Sequence, residues 1–218
     1  MTYQQTCYRK RFSHEENMRR NILWRVLCSR LFQKYIKTTD TVMDIGAGYC
    51  EFLNTIHASK KIAVDVNPDT KKHAAQGVEV ILSTAERIPK RYDGTIDKIF
   101  MSNVLEHLST KEHVLEVLTR AYKLLKSNGK IIILQPNINL VKEHYWDFFD
   151  HYVPLNGKSM QEVLDLCGFK LEIYIERFLP YTTKTTAFIQ HPLFIHLYLL
   201  LPSALRPYAG QSFFIGGK

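Results

Sequence analysis

The sequence predicts a doubly wound α/β fold, and three observations carry that reading. Short apolar runs rich in β-branched residues recur along the chain. Helical patterns alternate with them from residue 41 to 178, and helix start and stop signals punctuate the alternation. Near-continuous apolar runs indicate strands covered on both faces, as in a parallel sheet, and strand–helix alternation is the pattern that builds such a sheet.

The elements follow in order. Met18, Ile22, Leu23, Val26, Leu27, Leu31, Phe32 and Ile36 recur at three- and four-residue steps, which predicts an amphipathic helix ahead of the first strand. "TVMDIG" (41–46), "KIAVDV" (61–66), "VEVILS" (78–83), "IDKIFMSN" (96–103) and "KIIILQP" (130–136) are the predicted strands. Ser109 with Glu112, and Ser159 with Glu162, have the spacing of capping boxes. Asn128-Gly129 and Gly168 have the character of helix stops. "KLEIYIERF" (170–178) alternates as a strand, and "QSFFIGGK" (211–218) is the expected final one. Between them, "HPLFIHLYLLLP" (191–202) is bracketed by prolines and too short to span a bilayer, so it is expected to pack onto the domain as a helix. The expected organisation is one domain, 1–218, with a helical extension at 1–38 and an insertion at 179–210.

Composition narrows the function classes. With 218 residues, 45% of them apolar and 23% charged, the chain can bury a single sizeable core. The net charge of +8 invites a polyanion, but the densest basic cluster, "YRKRFSHEENMRR" (8–20), is interrupted by acids, as expected of a solvated surface. Cys7, Cys28, Cys50 and Cys167 show neither CxxC pairing nor metal-ligand spacing, and "MTYQQTCYRKRF" lacks the apolar run of a secretory signal. Both point to a reducing, cytoplasmic setting. No metal constellation is legible.

The motif that carries chemistry is "VMDIGAGYCEF" (42–52). Gly46 and Gly48 suit a tight strand-to-helix turn at which a ligand meets the backbone. A dinucleotide fingerprint wants a third small residue, and Glu51 stands there instead. Asp65, ending the second strand, has the spacing of an acid that holds a ribose diol. Asp44, just before the glycines, would repel phosphate but would accept hydrogen bonds from an ammonium group. Ribose, ammonium and no phosphate together describe S-adenosylmethionine.

With "IAVDVNP", "STAERIP", "DKIFMSNVLEHL" and "GKIIILQPN" following in order, the chain resembles the class I S-adenosylmethionine-dependent methyltransferases over roughly residues 40–178. The resemblance implies a seven-stranded Rossmann-like sheet whose last strand is antiparallel. It implies that Asp44, Gly46 and Gly48 surround the methionine moiety, that Asp65 binds the ribose hydroxyls, and that Val66 and Asn67 lie beside the adenine. Thr84 and Ala85 stand where many members carry an aspartate for the adenine amino group, and Asn103 ends the fourth strand facing the cofactor. The wider pattern resembles members associated with bacterial cell-surface saccharide synthesis.

On the acceptor side, "NVLEHL" offers Glu106 and His107, and "NLVKEHYWDFFDHYVPL" (139–155) offers His144, Asp147, Asp150 and His151 among aromatics. A hydroxyl or amine nucleophile needs a proton acceptor, for which His107, His144 and His151 are the candidates. The expected substrate is a small or lipid-linked metabolite. An RNA or protein methyltransferase is the first alternative, prompted by the charge. Against it, "SNVLEH" stands where amino-nucleobase methyltransferases carry an Asn/Asp-Pro-Pro-aromatic motif, so a nucleic-acid partner is not expected. A non-catalytic cofactor-binding protein is the second. The apolar run of 193–201 requires a cover: the N-terminal helix, a second copy in a homodimer, or a membrane surface.

Overall fold

A computed structural model describes Thr6, residues 14–181 and residues 191–218. Seven strands form one sheet: β1 (Thr41–Ile45), β2 (Lys60–Asp65), β3 (Val78–Leu82), β4 (Ile96–Ser102), β5 (Leu125–Pro136), β6 (Lys170–Pro180) and β7 (Ala209–Gly217). Their order is β3-β2-β1-β4-β5-β7-β6. The first five run parallel, and β7 is antiparallel to both β5 and β6. The seven-stranded, doubly wound α/β architecture is therefore the one expected, antiparallel last strand included.

Period-two alternation assigns each strand residue to a face. Met43, Ile45, Ile99, Met101, Ile131, Ile133 and Phe214 form one core with the buried residues of helices α4 (Lys111–Leu124) and α6 (Gly157–Leu166). Their neighbours Val42, Phe100, Ile132, Leu134, Phe213 and Ile215 form the other core, on the opposite side. That side is covered by α1 (His14–Arg30), α2 (Glu51–Thr55) and α7 (Pro192–Leu200), which contribute Leu23, Leu27, Phe52, Leu53, Ile195 and Tyr198. Two short helices, α3 (Thr70–His73) and α5 (Ile138–Val141), cap strand ends. All five parallel strands end at the same edge, so every loop named as a site candidate opens there.

The helix boundaries differ in detail from the sequence reading. The helix expected over 14–36 ends at Arg30 and tightens into a 3-10 turn, Phe32–Tyr35, that drives Phe32 edge-on against the stacked rings of Phe52 and Phe100. Thr110 rather than Ser109 caps α4: its backbone is the extended one, and its hydroxyl accepts the His113 N–H at 3.1 Å. Asn156 caps α6, with Ser159 as the reciprocal partner three residues on, each bond 2.9 Å. Asn128-Gly129 stops no helix. Leu125 is already extended and paired with Ile96, so the dipeptide lies inside β5 beside a register shift. Gly168 does end α6, at φ +89°.

Residues 182–190 of the segment joining β6 to β7 lie outside the described residues, as do Cys7 and residues 8–13 of the basic cluster. His191 caps α7, accepting the Leu193 N–H, and Arg206 ties the segment down by donating to the carbonyls of Phe178, Leu199 and Leu201. Only one side of α7 is covered by the described chain. Ile195 and Tyr198 are buried toward α1, whereas Leu193, Phe194, Leu197 and Leu200 remain about half exposed or more. Among the described residues no helix is long and apolar enough to cross a membrane.

Candidate active site

The glycine turn is built by steric exclusion and by one carboxylate. Gly46 adopts φ +80°, and a Cβ there would meet Val104 Cγ2 at 2.3 Å, so only glycine lets the loop after β4 close over the turn. Gly48, at φ +52°, donates its N–H to Asp65 Oδ2 at 2.7 Å. Asp65 Oδ1 accepts the Asn67 N–H, also at 2.7 Å. Asp65 thus joins the ends of β1 and β2. A carboxylate has about four acceptor sites, of which the Gly48 and Asn67 N–H groups and the neighbouring Val66 N–H use at most three, and the group is only partly buried. Asn67 is 1% exposed, and its Nδ2 has no hydrogen-bond partner. A carboxylate with spare acceptors beside an unsatisfied buried amide suits a vicinal diol next to a ring bearing hydrogen-bond acceptors. The residues present therefore fit the adenosine part of the implied cofactor.

Asp44, next to last in β1, is more fully buried, 3% exposed. Burial pushes its carboxyl well above the usual carboxylate range, and the charges of Asp65 and then Glu51 push it further. Asp44 in turn helps burial to hold the Cys28 thiol up, and does the same at Cys50, which is pushed up to about 12. Both are neutral packing groups. Glu51, at the third fingerprint position, opens α2 and pairs with Arg20 of α1 at 2.9 Å. The missing third glycine is thereby explained: this helix start is clamped to the N-terminal helix by an ion pair.

The remaining cofactor candidates lie along the same edge. Val66 is 44% exposed. Thr84 precedes the short 3-10 turn Ala85–Arg87, and the neighbouring Ser83 N–H bonds the Asp65 carbonyl. Asn103, at φ +54°, is exposed and held through its N–H to the Leu134 carbonyl.

Past Val104, the 3-10 turn Leu105–His107 carries Glu106 and His107 into a second cluster. The Glu106 carbonyl accepts the N–H groups of Tyr152 and Val153, which pins the 148–153 loop over it. Consequently the His107 and His151 rings lie 4.9 Å apart. His107 Nδ1 is 2.8 Å from the Asp150 carbonyl oxygen and 3.5 Å from its carboxylate. His151 stacks on Phe148, and its Nδ1 is 3.3 Å from Tyr181 Oη. Tyr145 Oη donates to the Val153 carbonyl at 2.6 Å and closes the floor.

Glu106 is 1% exposed, and burial holds its carboxyl above the usual range. The equally buried Gln135 lies close enough to bias it back down, yet no hydrogen bond of ordinary geometry joins them, and Glu106 Oε2 has no partner. His144 stands apart from this cluster: it is exposed and faces Asp147 at 3.1 Å.

Sequence spacing brought Glu106, His107 and His151 forward as separate loop residues. It gave no sign of Gln135 or Tyr181, which arrive from β5 and the end of β6 and meet the loops only through strand order.

Residues 14–172 match a family model described as a methyltransferase domain. No curated protein matches the sequence. Among solved structures, a SAM-dependent methyltransferase from Archaeoglobus fulgidus is 24% identical, with all of both chains covered and a TM-score of 0.65. The YcgJ protein from Bacillus subtilis is 16% identical, with 86% of this chain and 95% of that one covered and a TM-score of 0.62. The Burkholderia thailandensis 1,6-didemethyltoxoflavin-N1-methyltransferase, solved with its acceptor and S-adenosylhomocysteine, is 16% identical, with 88% of this chain and 78% of that one covered and a TM-score of 0.57. At these identities the likeness is one of fold.

Proposed function

The chain belongs to the methyltransferase-domain family, and we propose that it is an S-adenosylmethionine-dependent enzyme that methylates a hydroxyl or amine of a small or lipid-linked metabolite. The observation that carries the cofactor reading is the Asp65 bridge, which binds the Gly48 and Asn67 N–H groups and still has acceptors to offer a ribose diol. In this reading Asp44 meets the ammonium group, and Gly46 and Gly48 admit the methionine moiety. Val66, Asn67, Thr84 and Ala85 border the adenine, and Asn103 faces the sulfonium side.

S-adenosylmethionine supplies an electrophilic methyl group, so what remains for the protein is alignment and proton handling. Glu106, His107 and His151 serve as the polar floor of the acceptor site, with the exposed Trp146, Phe149 and Tyr152 as its rim. Proton handling belongs to His107 and His151, not to His144, because the first two form one contact cluster with Asp150 and Tyr181. Replacing either by Gln is expected to lower methyl transfer into a metabolite extract by about 100-fold or more, with cofactor affinity within twofold. His144→Gln should stay within threefold of the parent. The opposite pattern overturns the assignment.

A small acceptor agrees with the Burkholderia thailandensis neighbour, which is named for one. The saccharide class rests on the sequence resemblance alone. A lipid-linked form, with peripheral membrane contact, is favoured by one further observation: the exposed side of α7, Leu193, Phe194, Leu197 and Leu200, on a chain of net charge +8. The double variant Leu197→Glu, Leu200→Glu should leave thermal stability nearly unchanged, since both side chains are exposed. It should also abolish co-sedimentation with anionic vesicles. Parental chain that never sediments, or a variant that dissociates from dimer to monomer, assigns that face to something other than a membrane.

A further inference from the structure

We infer that Glu106, His107 and His151 bind a divalent first-row transition-metal cation that holds the acceptor's nucleophilic hydroxyl; this rests on the acceptor site proposed above and names how that site works. One ligand atom from each of the three residues falls within 4.8 Å of the others, and Glu106 Oε1 lies 4.0 Å from His107 Nε2. Donor atoms around such a cation stand about 3 Å apart, so a small rotamer closure completes the set. Two imidazoles and one carboxylate, with other positions open, form a recognised donor set for first-row divalent ions.

Three observations favour a cation over a neutral hydrogen-bond network. First, Glu106 Oε2 is fully buried without a partner, and so is the side-chain amide of the adjacent Gln135. The nearest group that can bring positive charge to this carboxyl is His107, whose Nε2 is 4.0 Å away, so a cation seated between the two would satisfy both. Second, His107 Nδ1 is 2.8 Å from the Asp150 carbonyl oxygen, which fixes Nδ1 as the protonated nitrogen and turns the Nε2 lone pair toward Glu106. Ligating histidines are held this way by their outer neighbours. Third, the Tyr152 and Val153 N–H groups bond the Glu106 carbonyl, which keeps the preceding residue, His151, within reach of Glu106 and His107.

A cation here lowers the pKa of a bound hydroxyl, a Lewis-acid role. The acceptor O–H bond breaks and its proton passes to solvent water. The oxygen pair then forms the bond to the methyl carbon, and the pair of the broken carbon–sulfur bond stays on sulfur. In this arrangement His107 and His151 handle the acceptor's proton through the cation they ligate, which acidifies the hydroxyl, and not by accepting the proton themselves; loss of either costs both cation and turnover.

The test is titration of the untagged full chain with Co²⁺, followed by visible absorption, in parallel with calorimetric titration of S-adenosylmethionine. One Co²⁺ per chain is expected, with affinity falling at least tenfold in His151→Gln, in Glu106→Gln and in His107→Gln, and unchanged in His144→Gln. His107 is half-buried, so its variant keeps the test open if Glu106→Gln does not fold. Absence of a Co²⁺ spectrum, or a spectrum indifferent to these substitutions, overturns the cation. If chelator-treated protein also keeps full turnover while the histidine variants lose it, the acceptor-site reading survives and the cation alone fails. If S-adenosylmethionine does not bind, the function proposed above fails, while the Co²⁺ titration still decides the metal site.

Discussion

Asp65→Ala should weaken S-adenosylmethionine binding by roughly 10- to 100-fold, the equivalent of about 1.5–3 kcal/mol for charge-assisted hydrogen bonds. The effect has two sources. The carboxylate is lost to the ribose, and the N–H groups of Gly48 and Asn67, each 2.7 Å from it, lose the acceptor that holds the turn against the end of β2. Asp65→Asn separates the two sources. Its single carbonyl oxygen replaces one bridge bond, so the turn is half restored while the charge is gone. Affinity between parent and Ala variant is the expected result by calorimetry. An Ala variant within twofold of the parent removes Asp65 from the ribose site.

The fold was legible because the strands are buried on both faces. A run such as "KIIIL" has no alternative that buries Ile131 and Ile133 on one side and Ile132 and Leu134 on the other. The parallel doubly wound sheet and its antiparallel last strand were as expected, and strand ends lay within a few residues of prediction except at the start of β5. The failures were at helix ends, where neighbouring residues compete for one role. Ser109 and Thr110 both carry hydroxyls, and only the extended backbone at Thr110 decides between them. Asn156 and Ser159 form a reciprocal pair, so reading Ser159 as the first member shifted the cap by one turn.

The cofactor turn was legible for a different reason: its residues lie within two strand–turn units, so spacing alone brings them together. The acceptor cluster was not. Glu106 and His107 are 44 residues or more from His151, and Tyr181 lies 30 further on. What brings them together is the position of β5 and β6 in the sheet and two backbone bonds to one carbonyl, neither of which leaves a mark in the spacing. The three histidines had equal standing in the sequence. In the fold two of them have their rings 4.9 Å apart, and His144 is exposed beside Asp147.

Asp44→Asn should stabilise the ligand-free protein while weakening cofactor binding, because the same buried charge costs stability and attracts the ammonium group. The carboxyl is 3% exposed and held well above its ordinary value by burial, with Asp65 and Glu51 adding repulsion. The folded chain therefore binds this proton more tightly than the unfolded chain. The contribution to stability is fully present below the unfolded carboxylate value and is lost as pH rises toward the folded value. At neutral pH the near-isosteric amide removes that loss. A rise in Tm of at least about 2–4 °C is expected for each kcal/mol regained in a chain of this size, together with a flatter dependence of Tm on pH from about 4 upward. Affinity for S-adenosylmethionine should fall by roughly 10- to 100-fold, since the cofactor's cation loses a charge-assisted partner. The parent should also bind more weakly as pH falls and Asp44 gains its proton, and the variant should not share that dependence. A variant that melts lower and binds as tightly as the parent would mean that Asp44 is a structural acid satisfied by the fold itself, and would leave the ammonium without a carboxylate at the glycine turn.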